Sequence, residues 1–321
     1  MKAGTGIGPK AGARRVDGDL GLSIAIMIAL AALPLFVTSD YWLGVVIVTL
    51  YFAMQATGWN LLAGYTGQFS LAPAAFAMLG AYSTALPAFH WHAPLWIGLP
   101  LAVIIPAIVG VVLGWLVMRL SGAYLALTTL AFGEILRLVV GNSIGFTRGD
   151  LGLNVPGLMQ SRLGYYYLFL AVLLIIVVAL HWLLRTRVGL FLRAIRDDEV
   201  GAASRGINVV KWKTVSFALS CAICGFAGGL YGTFSRLVSP DLGLILQTGL
   251  VISMVVIGGM GTLAGPIIGA LLVYISSEWL RNVGNVQMIV FAALVIIFAR
   301  FFRDGLWGLA RARLKRVAGR G

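Results

Sequence analysis

Charged residues are scarce in this sequence. Only 11% of its 321 residues are Asp, Glu, Lys or Arg, whereas a soluble domain has about 25%. Hydrophobic residues make up 60% of the chain and form long continuous runs, for example at 165–184. A chain this apolar has too little polar surface to fold in water, so the sequence predicts a membrane protein. The continuous runs favour transmembrane helices, because β-barrel strands alternate between apolar and polar residues.

Motifs for nucleotide and metal binding are also missing. The sequence contains no G-x-x-x-x-G-K-[ST] segment, so we expect no ATP site of the P-loop type in this chain. Cys221 and Cys224 lie inside an apolar run, where they are interpreted as small packing residues. His90 and His92 are too few to predict a metal site. We therefore predict no metal, no cofactor and no enzymatic activity for this chain.

The apolar runs predict an all-α fold, a polytopic transmembrane helical bundle of about ten spans with broken helices. Crossing the hydrocarbon core of a bilayer takes about 20 helical residues. Glycine is abundant, with 41 residues, as in closely packed transmembrane helices. The ten candidate runs lie at residues 20–38, 41–63, 70–89, 95–118, 121–140, 165–184, 214–236, 244–259, 262–280 and 286–302.

Basic residues concentrate in three segments. Most of the 24 lysines and arginines lie in an N-terminal tail (1–19), in the central loop 185–213, or from residue 300 onward, which includes a C-terminal tail (303–321). Cytoplasmic loops of membrane proteins carry such an excess of positive charge. We therefore predict that both termini and the central loop are cytoplasmic. We expect the basic tails to contact anionic lipid rather than nucleic acid.

The order of the apolar runs agrees with this charge distribution. Six runs precede the central loop and four follow it, which places both termini and the loop on the same side. The transmembrane domain then covers residues 20–302. The loop 141–163, rich in glycine, lies outside and is long enough to form a structured cap.

Glycine and proline interrupt two of the apolar regions, near Gly64 and Pro73 and near Gly265 and Pro266. Interruptions free backbone N–H and C=O groups, which need protein or water as partners inside a membrane. The segments 64–76 and 257–269 are therefore predicted to face the interior of the protein, where broken helices often line a transport path. Close helix packing by small residues is the alternative.

Polar side chains within apolar runs are candidate functional residues, because they are unfavourable in lipid. The candidates for a translocation path are Gln55, Asn60, Gly67, Ser70, Gly261 and Thr262. Hydrogen bonding between helices is the alternative role of the first two. Two pairs of opposite charge, spaced three residues apart, are candidates for an external gate or docking point. They are Glu134 with Arg137 and Glu278 with Arg281, and local charge neutralisation is the alternative.

The central loop has the pattern of a short docking helix over residues 193–206. Asp197, Asp198 and Glu199 precede a stretch of small residues, and acidic residues are favourable in the first turn of a helix. Gly206 is suited to end the helix. Small residues give such a helix a face that fits a groove on a partner protein. A solvated loop is the alternative.

Glu199, Ala202, Ala203 and Gly206 resemble the E-A-A…G coupling loop of ATP-binding-cassette importer permeases. Longer stretches resemble the M-type permease of high-affinity branched-chain amino acid importers. Pro73 and Ala74 depart from that pattern, since Gly-His is expected there in many relatives. The stretches are GWNLLAGYTGQFSLAPAAFAMLGAY (58–82), YLALTTLAFGEILRLV (124–139), LRAIRDDEVGAASRGINVVKWK (192–213) and VVIGGMGTLAGPIIGALL (255–272).

The resemblance implies a permease subunit for leucine, isoleucine and valine in the bacterial inner membrane. Its implied partners are a second permease, two cytoplasmic ATP-binding subunits that use the ATP, and a periplasmic substrate-binding protein. The residues implied in ATPase coupling are Arg193, Arg196, Asp197, Glu199, Ala202, Ala203 and Gly206. A permease of the same type for urea or short amides is one alternative. An ATP-independent secondary transporter or channel, which needs no docking helix, is another.

Overall fold

The computed structural model describes residues 9–280 except 36–38, 118 and 121, and it confirms the all-α fold. Short 3-10 turns lie at Leu33–Leu35, Gly149–Leu151 and Pro240–Gly243, and a π-helical turn at Leu61–Tyr65. Strands β1 (Leu153–Asn154) and β2 (Leu237–Val238) pair antiparallel, with Leu153 opposite Val238. The helices are α1 (Pro9–Ala32), α2 (Asp40–Asn60), α3 (Pro73–His90), α4 (Leu95–Val117), α5 (Ala123–Asn142), α6 (Ile144–Thr147), α7 (Arg162–Arg185), α8 (Arg187–Asp197), α9 (Glu199–Ser204), α10 (Val209–Ser235), α11 (Ile245–Gly258) and α12 (Gly265–Leu280).

Six helical segments in the described part of the chain are long and apolar enough to cross a membrane. The predicted number of about ten spans is therefore only approximate. Helices α3 and α11 form where runs were expected, but they are shorter or less apolar than the six, and α12 forms in a third such run and is described up to Leu280. The run 286–302 lies outside the described residues. The six segments are Gly18–Leu35, Asp40–Tyr65, Leu95–Val117, Ala123–Asn142, Arg162–Arg185 and Val209–Ser235.

The predicted terminal tails lie largely outside the described residues. Helix α1 begins at Pro9, so the second half of the predicted N-terminal tail (1–19) is helical. The C-terminal tail (303–321) lies wholly beyond the described part.

Helix α2 is the buried centre of the bundle. In its apolar window 94% of the residues are buried, against 22% for α5. It packs against α7, α10, α11 and α12. Ile47, Leu50, Met54 and Trp59 are each at most 1% exposed. The polar residues of α2 therefore meet protein rather than lipid.

Glycines allow two pairs of helices to pack with their backbones in contact. A Cβ on Gly228 of α10 would lie 1.9 Å from the carbonyl oxygen of Ala77 in α3. A Cβ on Gly269 of α12 would lie 1.8 Å from the carbonyl oxygen of Met254 in α11. Such close approach is the usual role of small residues between transmembrane helices. Close helix packing is the alternative explanation for the glycines in the interrupted segments. It applies to Gly269.

The two ends of the bundle differ. At the α8–α9 end, one cavity is lined by Thr66, Leu120, Ile195 and Lys213, which come from four separate parts of the chain. At the opposite end, which we call the β-sheet end, the β1–β2 pair ties the loop 141–163 to the chain that follows α10. That loop is ordered by α6, a 3-10 turn and β1, as expected for a structured cap.

Replacing Gly228 with alanine should destabilise the bundle by about 1–3 kcal/mol, because the new methyl group must push α3 and α10 apart. Gly249→Ala in α11 is the matched control, since its Cβ would meet nothing within 4 Å. We expect the apparent melting temperature in detergent to fall for Gly228→Ala and to hold or rise for Gly249→Ala, where alanine favours the helix. Equal melting temperatures would contradict this packing.

Candidate coupling segment and translocation path

Helix α8 is amphipathic and lies against one end of the bundle. Gly189, Leu192 and Ile195 are buried, and the helix packs against α7, α10 and the π-helical turn. Arg196 and Asp197 are exposed. Apolar residues three and four positions apart share one face of a helix, which explains this division. The central loop thus contains a docked helix and is not a solvated loop.

The single helix expected over 193–206 is in fact two helices that meet at Asp198. The backbone of Asp198 is extended, and its N–H closes α8 by donating to the carbonyl of Ala194 at 3.0 Å. Its carboxylate then accepts the N–H of Gly201 at 3.0 Å and caps the start of α9. Gly206, in the left-handed region at φ +83°, follows the end of α9 as predicted.

The two alanines of α9 point in opposite directions. Ala202 is 3% exposed and packs onto the bundle, whereas Ala203 is exposed. Val200 lies beside Ala203 on the surface and is 80% exposed. We call Val200, Ala203 and Ser204 the outer face of α9. Val200 and Ala203 make this face largely apolar, and its role as a docking surface stays a prediction.

Charged side chains hold the segment in place. Lys213 Nζ donates to Glu199 Oε2 at 2.7 Å, and Lys213 itself is buried at the start of α10. Arg193 Nη2 donates to the carbonyl of Leu184 at 2.8 Å, in the last turn of α7, where a cation is favourable. Arg193 and Glu199, both predicted to couple to an ATPase, therefore anchor the segment to the bundle.

Arg196 joins α8 to both interrupted segments. Its Nη1 donates to the carbonyl of Gly64 in the π-helical turn. Its side chain also lies against Gly67, whose Cβ would be 3.2 Å from the Arg196 Cγ. A Cβ on Gly261 would lie 2.8 Å from Arg196 Nη1. One guanidinium group therefore contacts segments that are almost 200 residues apart in sequence.

Asn60, at the end of α2, binds the second interrupted segment directly. Its Nδ2 donates to the carbonyl of Thr262 at 2.7 Å, and its Oδ1 accepts the N–H of Gly261 at 2.8 Å. Thr262 also accepts the N–H of Gly265 at 3.1 Å, at the start of α12. These bonds provide partners for backbone groups that have none within a helix, because the chain is not helical between α11 and α12. Three of the predicted path residues are thus brought together.

The other predicted path residues lie apart from this cluster. Ser70 is buried, and its carbonyl accepts the indole N–H of Trp59 at 2.7 Å. Gln55 is fully buried in α2, where its amide group lies beside the side chain of Tyr51.

Three members of the predicted charge pairs, Glu134, Arg137 and Glu278, lie near the β-sheet end. Arg137 Nη2 and Glu134 Oε1 are 2.5 Å apart, so this pair neutralises itself locally. The Tyr41 hydroxyl donates to Glu278 Oε1 at 2.5 Å, a contact that the sequence did not indicate. Arg281 lies outside the described residues.

A cavity of about 540 Å³ opens at the β-sheet end between α2, α7, α10 and α12. Its walls combine apolar, aromatic and charged side chains, several of which the sequence did not single out. No local pattern could have revealed them, because they come from four distant parts of the chain. The lining residues used below are Val48, Arg162, Tyr165, Phe234, Arg236, Tyr274 and Glu278.

The long apolar helices, buried polar groups and interrupted segments define a multi-pass membrane protein. The family described as "Branched-chain amino acid transport system / permease component" matches residues 41–299. The chain belongs to this family.

Similar proteins include the high-affinity branched-chain amino acid transport system permease protein LivM of Salmonella typhimurium, 30% identical over 97% of this chain and 81% of the relative. LivM of Escherichia coli is 30% identical over 96% of this chain and 80% of the relative. A probable permease protein LivH of Methanocaldococcus jannaschii is 26% identical over 85% and 94%. No solved structure shows a significant match.

Replacing Asn60 with alanine should destabilise the protein by roughly 1–3 kcal/mol, because the Gly261 N–H and the Thr262 carbonyl lose their partner. Asn142→Ala is the matched control, since Asn142 is exposed and, among the residues that the structure describes, its side chain bonds only to Leu138 of its own helix. Thermal unfolding in detergent measures the difference. A melting temperature for Asn60→Ala no lower than that of Asn142→Ala would rule out a clamp between α2 and the 259–262 turn.

Proposed function

We propose that this chain is the permease subunit of an ATP-driven importer for leucine, isoleucine and valine. Branched-chain amino acids are the substrates in the names of its relatives. The two ATP-binding subunits are separate proteins, because this sequence has no P-loop motif. A second permease completes the membrane part, in line with the M and H types among the relatives. A periplasmic binding protein delivers the substrate.

The outer face of α9 is the contact for the ATPase. The observation that supports this most is the connection behind that face. Helix α9 continues into α8, whose Arg196 bonds to Gly64 and lies against Gly261. A displacement of α9 by an ATPase would therefore reach both interrupted segments. A secondary transporter has no use for such a segment.

The α8–α9 end faces the cytoplasm of a bacterial cell, and both termini lie on that side of the inner membrane. The excess of lysine and arginine in 185–213 and near the termini supports this orientation. The β-sheet end then faces the periplasm. Glu134, Arg137 and Glu278, together with Arg281, are candidates there for gating or for docking the binding protein.

The translocation path follows the face of α2 between α10 and α12. It begins in the cavity at the β-sheet end, passes Gln55, and is closed at the α8–α9 end, where Asn60 binds Gly261 and Thr262. Gly67 and Ser70 border this closed end on the first interrupted segment. Opening it requires the turn 259–262 to separate from α2 or to move with it.

Ala203→Trp should uncouple ATP hydrolysis from uptake, because the indole ring would hold the ATPase away from α9. In proteoliposomes with the complete importer, we expect leucine uptake per ATP hydrolysed to fall at least about tenfold. Stimulation of hydrolysis by the loaded binding protein should also be lost.

Two further variants serve as controls. Val112→Trp on the exposed surface of α4, where Val112 is 62% exposed, should leave coupling unchanged. Ala202→Trp, one position away but buried, should reduce the amount of folded protein. Normal stimulation of hydrolysis in a well-folded Ala203→Trp importer would show that the ATPase docks elsewhere.

A further inference from the structure

We propose that the cavity at the β-sheet end is a binding site for a free α-amino acid with an apolar side chain. The arginines Arg162 and Arg236 receive its carboxylate, and Glu278 receives its ammonium group. The choice of leucine as the preferred ligand rests on the function proposed above. The presence of the site does not, because the lining residues alone provide both charges and an apolar wall.

The cavity has the size and lining of a small-molecule site. Its volume of about 540 Å³ lies within the range of roughly 300–1,000 Å³ that is usual for such sites. Val45 and Val48 of α2 and the rings of Tyr165, Phe234 and Tyr274 form its apolar surface. Sites of this kind combine mostly apolar walls with a few polar groups that fix the orientation of the ligand.

Both arginines have N–H groups that can bind a carboxylate. Arg162 Nη1 donates to the backbone carbonyl of Asp40 at 2.6 Å. Arg236 follows α10 in the left-handed conformation, and its guanidinium group lies against Gly157. Neither forms an ion pair within the described ranges of the chain. A guanidinium group has five N–H donors, so the contacts above leave donors for an incoming carboxylate.

The opposite charge lies on α12. The Tyr41 hydroxyl donates a hydrogen bond to Glu278, which helps to orient this carboxylate at the cavity wall. A carboxylate accepts several hydrogen bonds, so an ammonium group can bind alongside this tyrosine. Because arginines and a glutamate line the same cavity, the site favours a ligand with both a carboxylate and an ammonium group over a ligand with only one of them.

An aromatic layer separates this cavity from a second polar position. Tyr51 stacks on Tyr231 with ring centroids 4.3 Å apart, and Phe52 lies 5.2 Å from Tyr274. Gln55 comes next on the helix face that carries Val48 and Phe52, since these residues are spaced by three and four positions. Its amide group is buried beside the Tyr51 side chain, so a polar ligand that passes the aromatic rings would contact it there.

Protection of a cysteine at Val48 tests the site. The complete importer in detergent, without ATP and with both native cysteines replaced by alanine, carries Val48→Cys. A small water-soluble methanethiosulfonate then modifies the new thiol. Leucine at about ten times its Kd should slow modification roughly tenfold, because it occupies most of the sites. 4-Methylpentanoate, which lacks the ammonium group, and 3-methylbutylamine, which lacks the carboxylate, should each protect far less.

Matched variants separate binding from other effects. Gly145→Cys, in the exposed loop outside the cavity, should react at the same rate with and without leucine; its Cβ would have open space. Adding Arg236→Gln or Glu278→Gln to Val48→Cys should abolish protection, and Arg236→Lys should retain part of it. Arg162→Gln provides a second test if Arg236→Gln does not fold.

Uptake by the unmodified importer distinguishes the two proposals. ATP-dependent leucine uptake without any protection of Val48→Cys would overturn the site and leave the transport function standing. Protection by another apolar amino acid, with uptake of that amino acid instead of leucine, would support the site and correct the substrate. Equal slowing at Val48→Cys and Gly145→Cys would also overturn the site.

Discussion

Backbone hydrogen bonding at the two interrupted segments is the constraint on which this structure depends. A helix that stops inside a membrane leaves N–H and C=O groups that lipid cannot satisfy, each at a cost of several kcal/mol. Here Asn60 binds the Gly261 N–H and the Thr262 carbonyl in the turn between α11 and α12, and Arg196 donates a hydrogen bond to the carbonyl of Gly64. The same few bonds therefore stabilise both interrupted segments and connect them to each other.

This arrangement links the surface of α9 to the interior in a few steps. The outer face of α9 lies at one end of a segment that Lys213 and Arg193 hold against α10 and α7. Arg196 then reaches the first interrupted segment, and Asn60 reaches the second. In the proposed importer, such a connection would transmit the movement of the ATP-binding subunits to the translocation path. The closed α8–α9 end and the open cavity at the opposite end correspond to one state of the proposed transport cycle.

Local patterns in the sequence predicted the local features of this site. The amphipathic segment, its end at Gly206, the Glu134–Arg137 pair and the breaks near Gly64 and Gly265 all follow from spacing or from glycine and proline. Spacing could not show that Asp198 ends one helix and caps the next, since an aspartate suits either position. Hydropathy gave only an approximate number of spans, since six of the expected runs form long apolar helices in the described part of the chain and others form shorter helices. The Asn60–Gly261 and Tyr41–Glu278 bonds join residues about 200 or more positions apart, so no local pattern could reveal them.

The most direct test is whether α8 and the turn 259–262 move as one body. Spin labels on cysteines at Leu190 and Met260, which are 51% and 46% exposed, report the distance between them by pulsed electron paramagnetic resonance. A third label at Gly145 provides a reference at the β-sheet end. Across nucleotide-free, ATP-bound and post-hydrolysis states of the complete importer, we expect the 190–260 distance to stay constant while the 190–145 distance changes. A 190–260 distance that changes with nucleotide would contradict transmission through Arg196 and Asn60.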